Sequence, residues 1–528
     1  MSHASELAFA AVALLIVSAL AGCGAVRSVT LHPTSAMVRI GGPGGAAAPP
    51  RAERYVMHVA RNEAEAFQVL VRPARDLPGE AFAVEARVEV DRPCKSTAWP
   101  RLRLYQVLDV HHTGPAEHKT FKVPPRNLGW IPDVCWPTRR AVAQEHRPGE
   151  VTFLIDVYVP PGTTAGEWTW RVSFDCRTVL GGPAGLKLTV RVDPSELPVR
   201  LPFKTAVTWN WGIEKYLARK LTAAERLGYL DFFLRHRFTP ASFWSIGPDL
   251  SDEEVRRVLA GGGNVFQLFG RGGRRRLTDK QKRDLAGKLP QWRAMMKQAG
   301  AIDYCYALVS DEPEEKHIPN LRDTAGWLKG IFPELKIWVA TRPRKDLMNV
   351  VDCWDVVTAA STDFYRPHCY DAGELAEVRR WPGRPEYWWF YSVEPYGPHP
   401  NARIDDALVD SRAIGWMSFA AGVDGFEYFW ATDWSANADL RDVPWPGKAG
   451  RWKLGLSGAG QLCYPGDDGL PIPSLRLVNL RDGMEDWAAF VQAGAALREA
   501  PAGNFRDPAG LAALRERARR TISRGRGR

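Results

Sequence analysis

The chain has 528 residues, several times the usual size of one domain, so at least two domains are expected. Its composition, with 45% hydrophobic and 25% charged residues, excludes a disordered chain, a collagen and a polytopic membrane protein. The net charge is +10, but residues 515–528 hold seven Arg against one Glu and account for six of these charges. The rest of the chain is nearly neutral, which argues against nucleic acid as a partner.

The N-terminus has the pattern of a targeting segment. An apolar stretch from Leu7 to Leu20 is too short to span a bilayer comfortably, and Ala21-Gly22-Cys23 follows it. A small-small-Cys step behind a hydrophobic run resembles the lipobox of bacterial lipoproteins. The resemblance implies that residues 1–22 are a signal peptide and that Cys23 is lipidated. The protein would then be exported and held on the bacterial cell envelope by its lipid anchor. A plain secretory peptide or a buried terminal helix is the alternative.

Short apolar segments, many of them alternating, follow in the first part of the chain and are separated by Pro and Gly. They are Val69–Val71, Phe82–Val90, Leu102–Val107, Val151–Val159, Trp168–Phe174 and Leu186–Val192. No helical periodicity interrupts them, which predicts a β-sandwich domain over residues 28–197. A Pro-rich connector, from Pro194 to Pro202, then leads to a different pattern.

From residue 203 onward, candidate strands alternate with candidate helices. The strands are Lys204–Trp211, Phe238–Trp244, Asn264–Phe269, Tyr304–Ser310, Lys336–Thr341, Asp355–Ala360, Glu386–Val393 and Gly425–Trp430. The helices are Ala223–His236, Asp252–Ala260, Asp279–Gln298, Glu314–Gly330, Lys345–Val350, Asp371–Arg380, Asp405–Ala421 and Met484–Glu499. Eight such units favour a (β/α)8 barrel of the TIM type over residues 203–500, with a doubly wound sheet as the alternative. Residues 501–528 are predicted to be a basic, disordered tail.

Metal binding is not expected. Apart from Cys23, seven Cys are scattered along the chain, and no CxxC motif or Cys/His cluster occurs. No other cofactor is indicated.

The residues that attract attention are two adjacent acids, Asp311 and Glu312, at the end of the fourth barrel strand. In a TIM-type barrel, catalytic groups lie at the C-terminal ends of the strands. Ser310 or Asp311 could instead cap a helix whose first turn holds Pro313. That alternative gives Glu312 no role.

Ordinary retaining glycosidases place two carboxyl groups about 5 Å apart across the scissile bond, usually from different strands. Neighbours in the chain are poorly placed for this. Two such neighbours can instead serve a substrate-assisted mechanism, in which the 2-acetamido oxygen of the substrate attacks the anomeric carbon. One carboxylate then orients the acetamido group and the other protonates the leaving oxygen, so the second must hold a proton near neutral pH.

Several ordered motifs resemble glycoside hydrolase family 123 and the related domain-of-unknown-function 4091 group. They are Val309–Pro313, Glu386–Tyr391, Arg412–Met417, Gly425–Trp430, Tyr464–Gly466, Pro473–Leu477 and Arg481–Gly483, with Glu65–Val69 and Pro160–Gly166 in the first half. The resemblance implies a β-N-acetylgalactosaminidase with a β-sandwich before its barrel. By position, Asp311 would steer the acetamido group and Glu312 would be the acid/base.

Aromatic and polar residues at the ends of other strands are candidates for substrate binding, because flat rings stack on sugars. They are Trp209, Asn210, Trp244, Tyr391, Trp430, Asp433 and Trp434. Each could equally pack at the rim of the barrel.

The sequence therefore predicts a lipid-anchored glycosidase whose partner is a glycan containing N-acetylhexosamine, with no obligate protein partner evident. Two alternatives stay open. The first is a glycan-binding surface lipoprotein without turnover. The second is a glycosidase acting on sugars that lack an acetamido group, with Asp363 or Glu394 as a separate nucleophile.

Overall fold

The computed structural model of the protein describes residues 29–74, 82–91, 98–114, 126–176, 182–210, 212–243, 245, 250–270, 276–363, 365–494 and 505–525. In this part of the chain no helix combines the length and apolar character needed to cross a membrane. The N-terminal apolar stretch with Cys23 lies outside the described residues, and so does Trp244.

Two five-stranded sheets form the first part of the fold, which we call the β-rich region (residues 29–196). Its strands are β1 (Val29–Ser35), β2 (Arg54–Arg61), β3 (Glu63–Pro73), β4 (Ala83–Val90), β5 (Arg101–His112), β6 (Gly129–Pro137), β7 (Arg140–Val142), β8 (Val151–Val159), β9 (Gly166–Asp175) and β10 (Ala184–Glu196). One sheet has the order β1-β3-β8-β5-β6 and the other β2-β10-β9-β4-β7. All neighbours are antiparallel except β2 and β10.

One hydrophobic core fills the space between the two sheets. Alternate residues of β9, from Trp168 to Phe174, turn inward and are buried, while their neighbours are more exposed. The ring centroids of Phe153 on β8 and Phe174 on β9 lie 5.4 Å apart across the two sheets. This is the alternation that the sequence pattern predicts for strands with one buried face.

The second part is built around eight parallel strands. They are β11 (Lys204–Thr208), β12 (Thr239–Ala241), β13 (Phe266–Gly270), β14 (Cys305–Asp311), β15 (Lys336–Ala340), β16 (Cys353–Val357), β17 (Glu386–Tyr391) and β18 (Gly425–Tyr428). Their order is β12-β11-β18-β17-β16-β15-β14-β13. No ladder joins β12 to β13, but the N–H of Gly270, the last residue of β13, donates to the carbonyl of Ser245, which follows β12, at 2.8 Å. The sheet is therefore a nearly closed barrel.

Helices connect these strands and pack outside them. They are α1 (Ile213–Leu217), α2 (Ala223–Arg235), α3 (Asp252–Ala260), α4 (Asp279–Ala299), α5 (Ile318–Ile331), α6 (Ala372–Val378), α7 (Leu408–Ala421), α8 (Leu475–Ala493) and α9 (Pro508–Gly525). Shorter 3-10 turns occur at Ile302–Tyr304, Glu315–His317, Lys345–Leu347, Arg366–His368, Ser435–Leu440, Ala449–Arg451 and Gly455–Gly458. A small hairpin, β19 (Cys463–Pro465) and β20 (Pro471–Pro473), precedes α8.

Capping explains why the predicted starts of three helices are accurate. The side chains of Thr222, Ser251 and Thr278 each accept a hydrogen bond from the backbone N–H of the third helical residue, and their own backbone N–H donates one to the side chain of that residue. Such capping boxes are local signals that can be read without the tertiary structure.

The end of the chain differs from its prediction. The last predicted helix, Met484–Glu499, begins earlier, at Leu475, where Ser474 accepts the Leu477 N–H at 3.0 Å. The basic tail predicted to be disordered contains α9. Arg515 and Arg519 of this helix pair with Glu63 at 2.7 and 2.6 Å, so acids from the β-rich region neutralise charges that were expected to be solvated.

Buried ion pairs also join the β-rich region to α7 and α8. Arg412 reaches Glu65 at 2.9 Å, and Arg481 reaches Asp156 at 2.9 Å. The two parts of the fold are thus held against each other by paired charges.

Gly415 and Gly483 lie at the closest approach of α7 and α8, where a Cβ on Gly415 would come within 1.8 Å of the Gly483 carbonyl oxygen.

Candidate active site

A cavity of about 210 Å³ opens at the C-terminal end of the barrel strands. Four carboxyl groups line it, those of Asp311, Glu312, Asp355 and Glu427. Aromatic side chains form much of the remaining wall, namely Phe243, Trp338, Tyr365, Phe390, Phe429 and Trp430. Acids and flat rings in one concavity are suited to binding and cleaving a sugar.

A bulge in β14 turns Asp311 into this cavity. Leu308 pairs with Trp338 of β15, but the next pairs are Ser310 with Val339 and Asp311 with Ala340. One residue of β14, Val309, is therefore extra. Because Ala340 lines the cavity, its partner Asp311 faces inward too, whereas strict alternation would have placed Ser310 there.

The next residue, Glu312, also reaches the cavity because the chain turns sharply. Its φ is +47°, in the left-handed region that a side chain with a Cβ rarely adopts, and its N–H donates to the Ala340 carbonyl at 3.0 Å. Such a conformation costs of order 1 kcal/mol or more and is found most often at functional sites. The bulge and the turn together let two neighbours in the chain face one cavity.

Helix capping does not account for the acidic pair. The helix that follows, α5, begins only at Ile318, after the 3-10 turn Glu315–His317. At that turn the Glu314 N–H donates to His317 Nδ1 at 3.1 Å. Neither Ser310 nor Asp311 is at an N-cap position.

Asp355 of β16 and Glu427 of β18 are site residues that the sequence analysis missed. Both are buried, and Asp355 Oδ2 accepts a hydrogen bond from Trp338 Nε1 at 3.1 Å. Asp355 Oδ1 and Glu427 Oε1 have no hydrogen-bond partner among the described residues. A signal existed: each is an acid on the inward face of an otherwise apolar strand, where charged residues are rare.

The protonation of these two acids follows from their surroundings. Burial raises the pKa of Asp355 well above its ordinary value; the Trp338 hydrogen bond opposes this shift, and the charge of Asp311 adds to it. Burial and the charges of Asp355 and Asp311 likewise raise the pKa of Glu427. In both groups these surroundings favour the protonated carboxylic acid, which can donate as well as accept hydrogen bonds.

Tyr365 supplies a further polar group. Its hydroxyl and the Ser392 Oγ are hydrogen bonded at 3.0 Å, and both side chains line the cavity. Burial and the negative charge of Glu312 raise the pKa of Tyr365 well above its ordinary value. The group is thus a phenol, not a phenolate, at any physiological pH.

Of the predicted binding residues that the structure describes, only Trp430 lines the cavity. Trp209, Tyr391 and Trp434 are buried in the hydrophobic core outside the barrel, which corrects the prediction for all three. Trp209 packs on Tyr229 with ring centroids 5.8 Å apart, and Tyr391 meets Phe426 edge to face at 5.3 Å. The predicted strand ends were close, but the alternation of side chains turns these residues away from the barrel interior.

The polar candidates Asn210 and Asp433 have partners in nearby loops. Asn210 Nδ2 donates to Ser242 Oγ at 2.9 Å, and Asp433 Oδ1 accepts from Ser435 Oγ at 2.9 Å. Neither side chain is part of the cavity wall.

The two residues considered as a separate nucleophile are also outside the wall. Asp363 is 91% exposed and pairs with Arg366 at 2.9 Å. Glu394 is fully buried, and its Oε2 accepts the backbone N–H groups of Ser361 and Thr362 at 2.8 and 3.2 Å. Glu394 therefore fixes a loop.

Comparison with known proteins agrees with this site. Residues 270–492 match the glycoside hydrolase 123 catalytic domain, a range that includes all four cavity acids. The search of curated proteins finds no match.

Among solved structures, this chain is similar to a family 123 glycoside hydrolase from Clostridium perfringens, described in a study of glycolipid glycan hydrolysis. The TM-score is 0.64 and the sequence identity 11%, over 94% of this chain and 98% of that one. A Bacteroides ovatus family 5 xyloglucanase matches at a TM-score of 0.29 and 7% identity, over 81% of this chain and 98% of that one.

These findings define the class of the protein: it is a glycosidase. The match of residues 270–492 to the glycoside hydrolase 123 catalytic domain confirms the resemblance noted in the sequence.

Proposed function

We propose that the protein is a retaining β-N-acetylgalactosaminidase-like enzyme that uses the 2-acetamido group of its substrate as the nucleophile. In this mechanism the acetamido oxygen attacks the anomeric carbon and an oxazolinium ion forms. Asp311 orients the acetamido group and stabilises its developing positive charge, while Glu312 protonates the leaving oxygen. Glu312 then takes a proton from the water that opens the oxazolinium ring.

The observation that carries this proposal is the presence of both neighbours, Asp311 and Glu312, on one cavity wall. Two acids that follow each other in the chain approach the substrate from one side. The substrate must then supply the attacking group itself, and an acetamido oxygen is suitably placed next to the anomeric carbon.

Asp355 and Glu427 could in principle serve as an ordinary carboxylate nucleophile on a sugar without an acetamido group. Burial and neighbouring negative charge raise the pKa of both and so favour the protonated form, which is a poor nucleophile. We therefore assign them to hydrogen bonds with the sugar. Trp430 and Phe429 offer faces for the sugar ring, and Tyr365 offers a hydroxyl near Glu312.

The test is a screen of aryl β-glycosides of N-acetylgalactosamine, N-acetylglucosamine, galactose and glucose. We expect turnover of the acetamido sugars alone, with the galacto sugar preferred and the β-anomer of the product formed first. Replacing the acetyl group by trifluoroacetyl weakens the attacking oxygen and should slow the wild-type enzyme sharply. Turnover of galactosides or glucosides at similar rates would contradict the substrate-assisted mechanism.

We also propose that the mature protein begins at Cys23 and is held on the cell envelope through its lipid. The support is the small-small-Cys step behind the apolar stretch. In the native host, Cys23→Ser should move the protein from the membrane fraction to the soluble fraction without loss of aryl glycosidase activity. Recovery of the wild-type protein as a soluble, unlipidated species would contradict this.

For the fold, we infer that the β-rich region is a β-sandwich domain over residues 28–197 and that the barrel is of the (β/α)8 TIM type over residues 203–500. The sheet orders and the site at the C-terminal ends of the strands support this assignment.

A further inference from the structure

A second and larger cavity, of about 930 Å³, lies between the β-rich region and the outside of the barrel. Strand β5, the end of helix α2 and the β19–β20 hairpin form its walls. Its volume is within the range of sites that hold small ligands. We call it the junction cavity.

The junction cavity is separate from the catalytic one. Its lining includes Val199 and Arg237, which precede barrel strands β11 and β12, whereas the catalytic cavity lies where strands end. The two linings share no residue. A molecule in the junction cavity would therefore remain outside the reaction.

Most acids on its wall are already paired. Asp231 binds Arg257 at 2.5 Å, and Glu485 binds Arg237 at 2.8 Å. Asp156 binds Arg481 at 2.9 Å, and Asp467 lies 3.4 Å from Lys448 Nζ. The remaining acid, Asp468, accepts the Leu470 N–H at 3.0 Å.

Three arginines on the wall have no such partner. Arg101, Arg103 and Arg235 form no ion pair and donate no side-chain hydrogen bond to any described residue. Burial and the positive charge of Arg103 lower the pKa of Arg235, while Tyr105, Asp231 and Asp156 oppose the shift, so the two guanidinium groups lie within electrostatic reach of each other on this wall. His236 adds no charge, because burial and the nearby arginines lower its pKa well below its ordinary value.

Neighbouring guanidinium groups without an acid in ion-pair contact form a positive site, and each can donate two parallel hydrogen bonds to a carboxylate or sulfate group. The aromatic side chains of Tyr105, Trp136 and Tyr158 line the same cavity. Rings beside cations suit a sugar that bears a negative charge, since the ring packs on the aromatic face and the charged group meets the arginines.

We propose that the junction cavity is a second glycan-binding site, selective for oligosaccharides that carry sulfate or carboxylate groups. It would hold an acidic part of a glycan while a different chain end, or a neighbouring chain, enters the catalytic cavity.

The test uses the full chain and four probes of similar length: a chondroitin sulfate tetrasaccharide, a hyaluronan tetrasaccharide, neutral chitotetraose and a single-stranded oligonucleotide. Titration calorimetry should show binding of an acidic tetrasaccharide and none of chitotetraose at this site. Binding of the sulfated probe alone assigns the site to sulfate, and binding of both acidic probes assigns it to either anion. Equal affinity for the oligonucleotide would overturn the glycan assignment.

The variant that probes the site is R103Q/R235Q, which changes two exposed side chains. Loss of two charge-assisted contacts should weaken binding of the acidic tetrasaccharide roughly 10- to 100-fold. R103K/R235K keeps the charge, so its affinity for the acidic tetrasaccharide should lie between those of the wild type and R103Q/R235Q. The matched control, R54Q/R171Q, removes two exposed arginines of the β-rich region that form no ion pair with a described residue, and it should bind like the wild type.

Hydrolysis of a neutral aryl glycoside is measured in parallel and should be unchanged in all three variants. The result therefore does not depend on whether the proposed reaction is correct. Equal loss of binding in R103Q/R235Q and R54Q/R171Q would indicate general charge attraction and overturn the proposal, as would unaltered binding in R103Q/R235Q.

Discussion

Buried carboxyl groups occur in two contrasting settings in this protein. Asp355 and Glu427 line the catalytic cavity without an ion pair to any described residue, and their pKa values are raised well above normal. Glu63, at the contact with α9, is buried as deeply, but Arg519 and Arg515 outweigh the effect of burial and hold its pKa at about 2. Glu485 is an intermediate case: it has arginine partners, but the effect of burial exceeds that of Arg237 and Arg481 and raises its pKa to about 7.

The comparison shows that burial alone does not decide the charge of these acids. The balance between burial and the guanidinium groups within reach decides it, since burial favours the neutral form and each guanidinium group favours the ionised form. At the contact with α9, two arginines favour the ionised form of Glu63. In the catalytic cavity, Asp355 and Glu427 have no ion pair to any described residue, and burial favours their protonated form.

Glu312→Gln removes the proposed general acid while keeping its shape. For substrates with poor leaving groups, the rate of glycosidic bond cleavage should fall by about 10² to 10⁴. Activated aryl glycosides need no proton, so their first step should be nearly spared. Steady-state and burst kinetics on both substrate types measure this, and an equal loss on both would contradict the role.

Arg476→Met leaves Asp133 buried without its cation. Arg476 Nη2 lies 2.9 Å from Asp133 Oδ2, and the remaining partner of that carboxylate is the Tyr464 hydroxyl at 2.6 Å. The free energy of unfolding should fall by about 3 to 5 kcal/mol in chemical denaturation. The double variant R476M/D133N removes both charges and should recover part of the loss. A double variant as unstable as the single one would show that the lost packing and hydrogen bonds, not the stranded charge, cause the effect.

Asp311→Asn removes the charge that opposes the developing oxazolinium ion. Turnover should fall by about 10² to 10³ for activated and poor leaving groups alike, because one preorganised electrostatic contact is lost. A thiazoline analogue of the cyclised intermediate should inhibit the wild type and bind the variant less tightly. Small, equal effects of Asp311→Asn and Glu312→Gln, without thiazoline inhibition, would remove both assigned roles.

The same amide substitution should act in opposite directions in the two settings. Glu63 has a lowered pKa, so its stabilising contribution is present above about pH 4.5 and is lost as the pH falls towards 2. Glu63→Gln should therefore lower the free energy of unfolding by about 3 kcal/mol at pH 7, with a smaller difference at pH 3.

Glu427 has a raised pKa, so its contribution is complete at low pH and is lost as the pH rises through its folded-state pKa. Glu427→Gln mimics the protonated form and should change the free energy of unfolding at pH 7 by no more than about 1 kcal/mol, in the stabilising direction. Glu89→Gln, at an exposed position, is the control and should have no effect. Denaturant unfolding at pH 7, 5 and 3 measures all three variants. If Glu63→Gln and Glu427→Gln both destabilise the protein at pH 7, the contrast between an ionised Glu63 and a protonated Glu427 is contradicted.

The sequence by itself determined much of this protein. The alternating patterns located all eight barrel strands within a few residues, and the capping boxes fixed three helix starts. The adjacent acids Asp311 and Glu312 stood out because they follow an apolar strand. These features depend on residues close together in the chain, so local periodicity and composition are enough to reveal them.

Only the tertiary structure decided which side chains meet. The extra residue in β14 and the left-handed turn at Glu312 aim the acidic pair, and closure of the barrel brings Asp355, Tyr365 and Glu427 to it from distant strands and loops. Side-chain alternation sent Trp209, Tyr391 and Trp434 into the core. The basic C-terminal segment became a docked helix because acids from far along the chain neutralise it. Register, closure and long-range charge pairing depend on contacts between distant residues, which no local pattern contains.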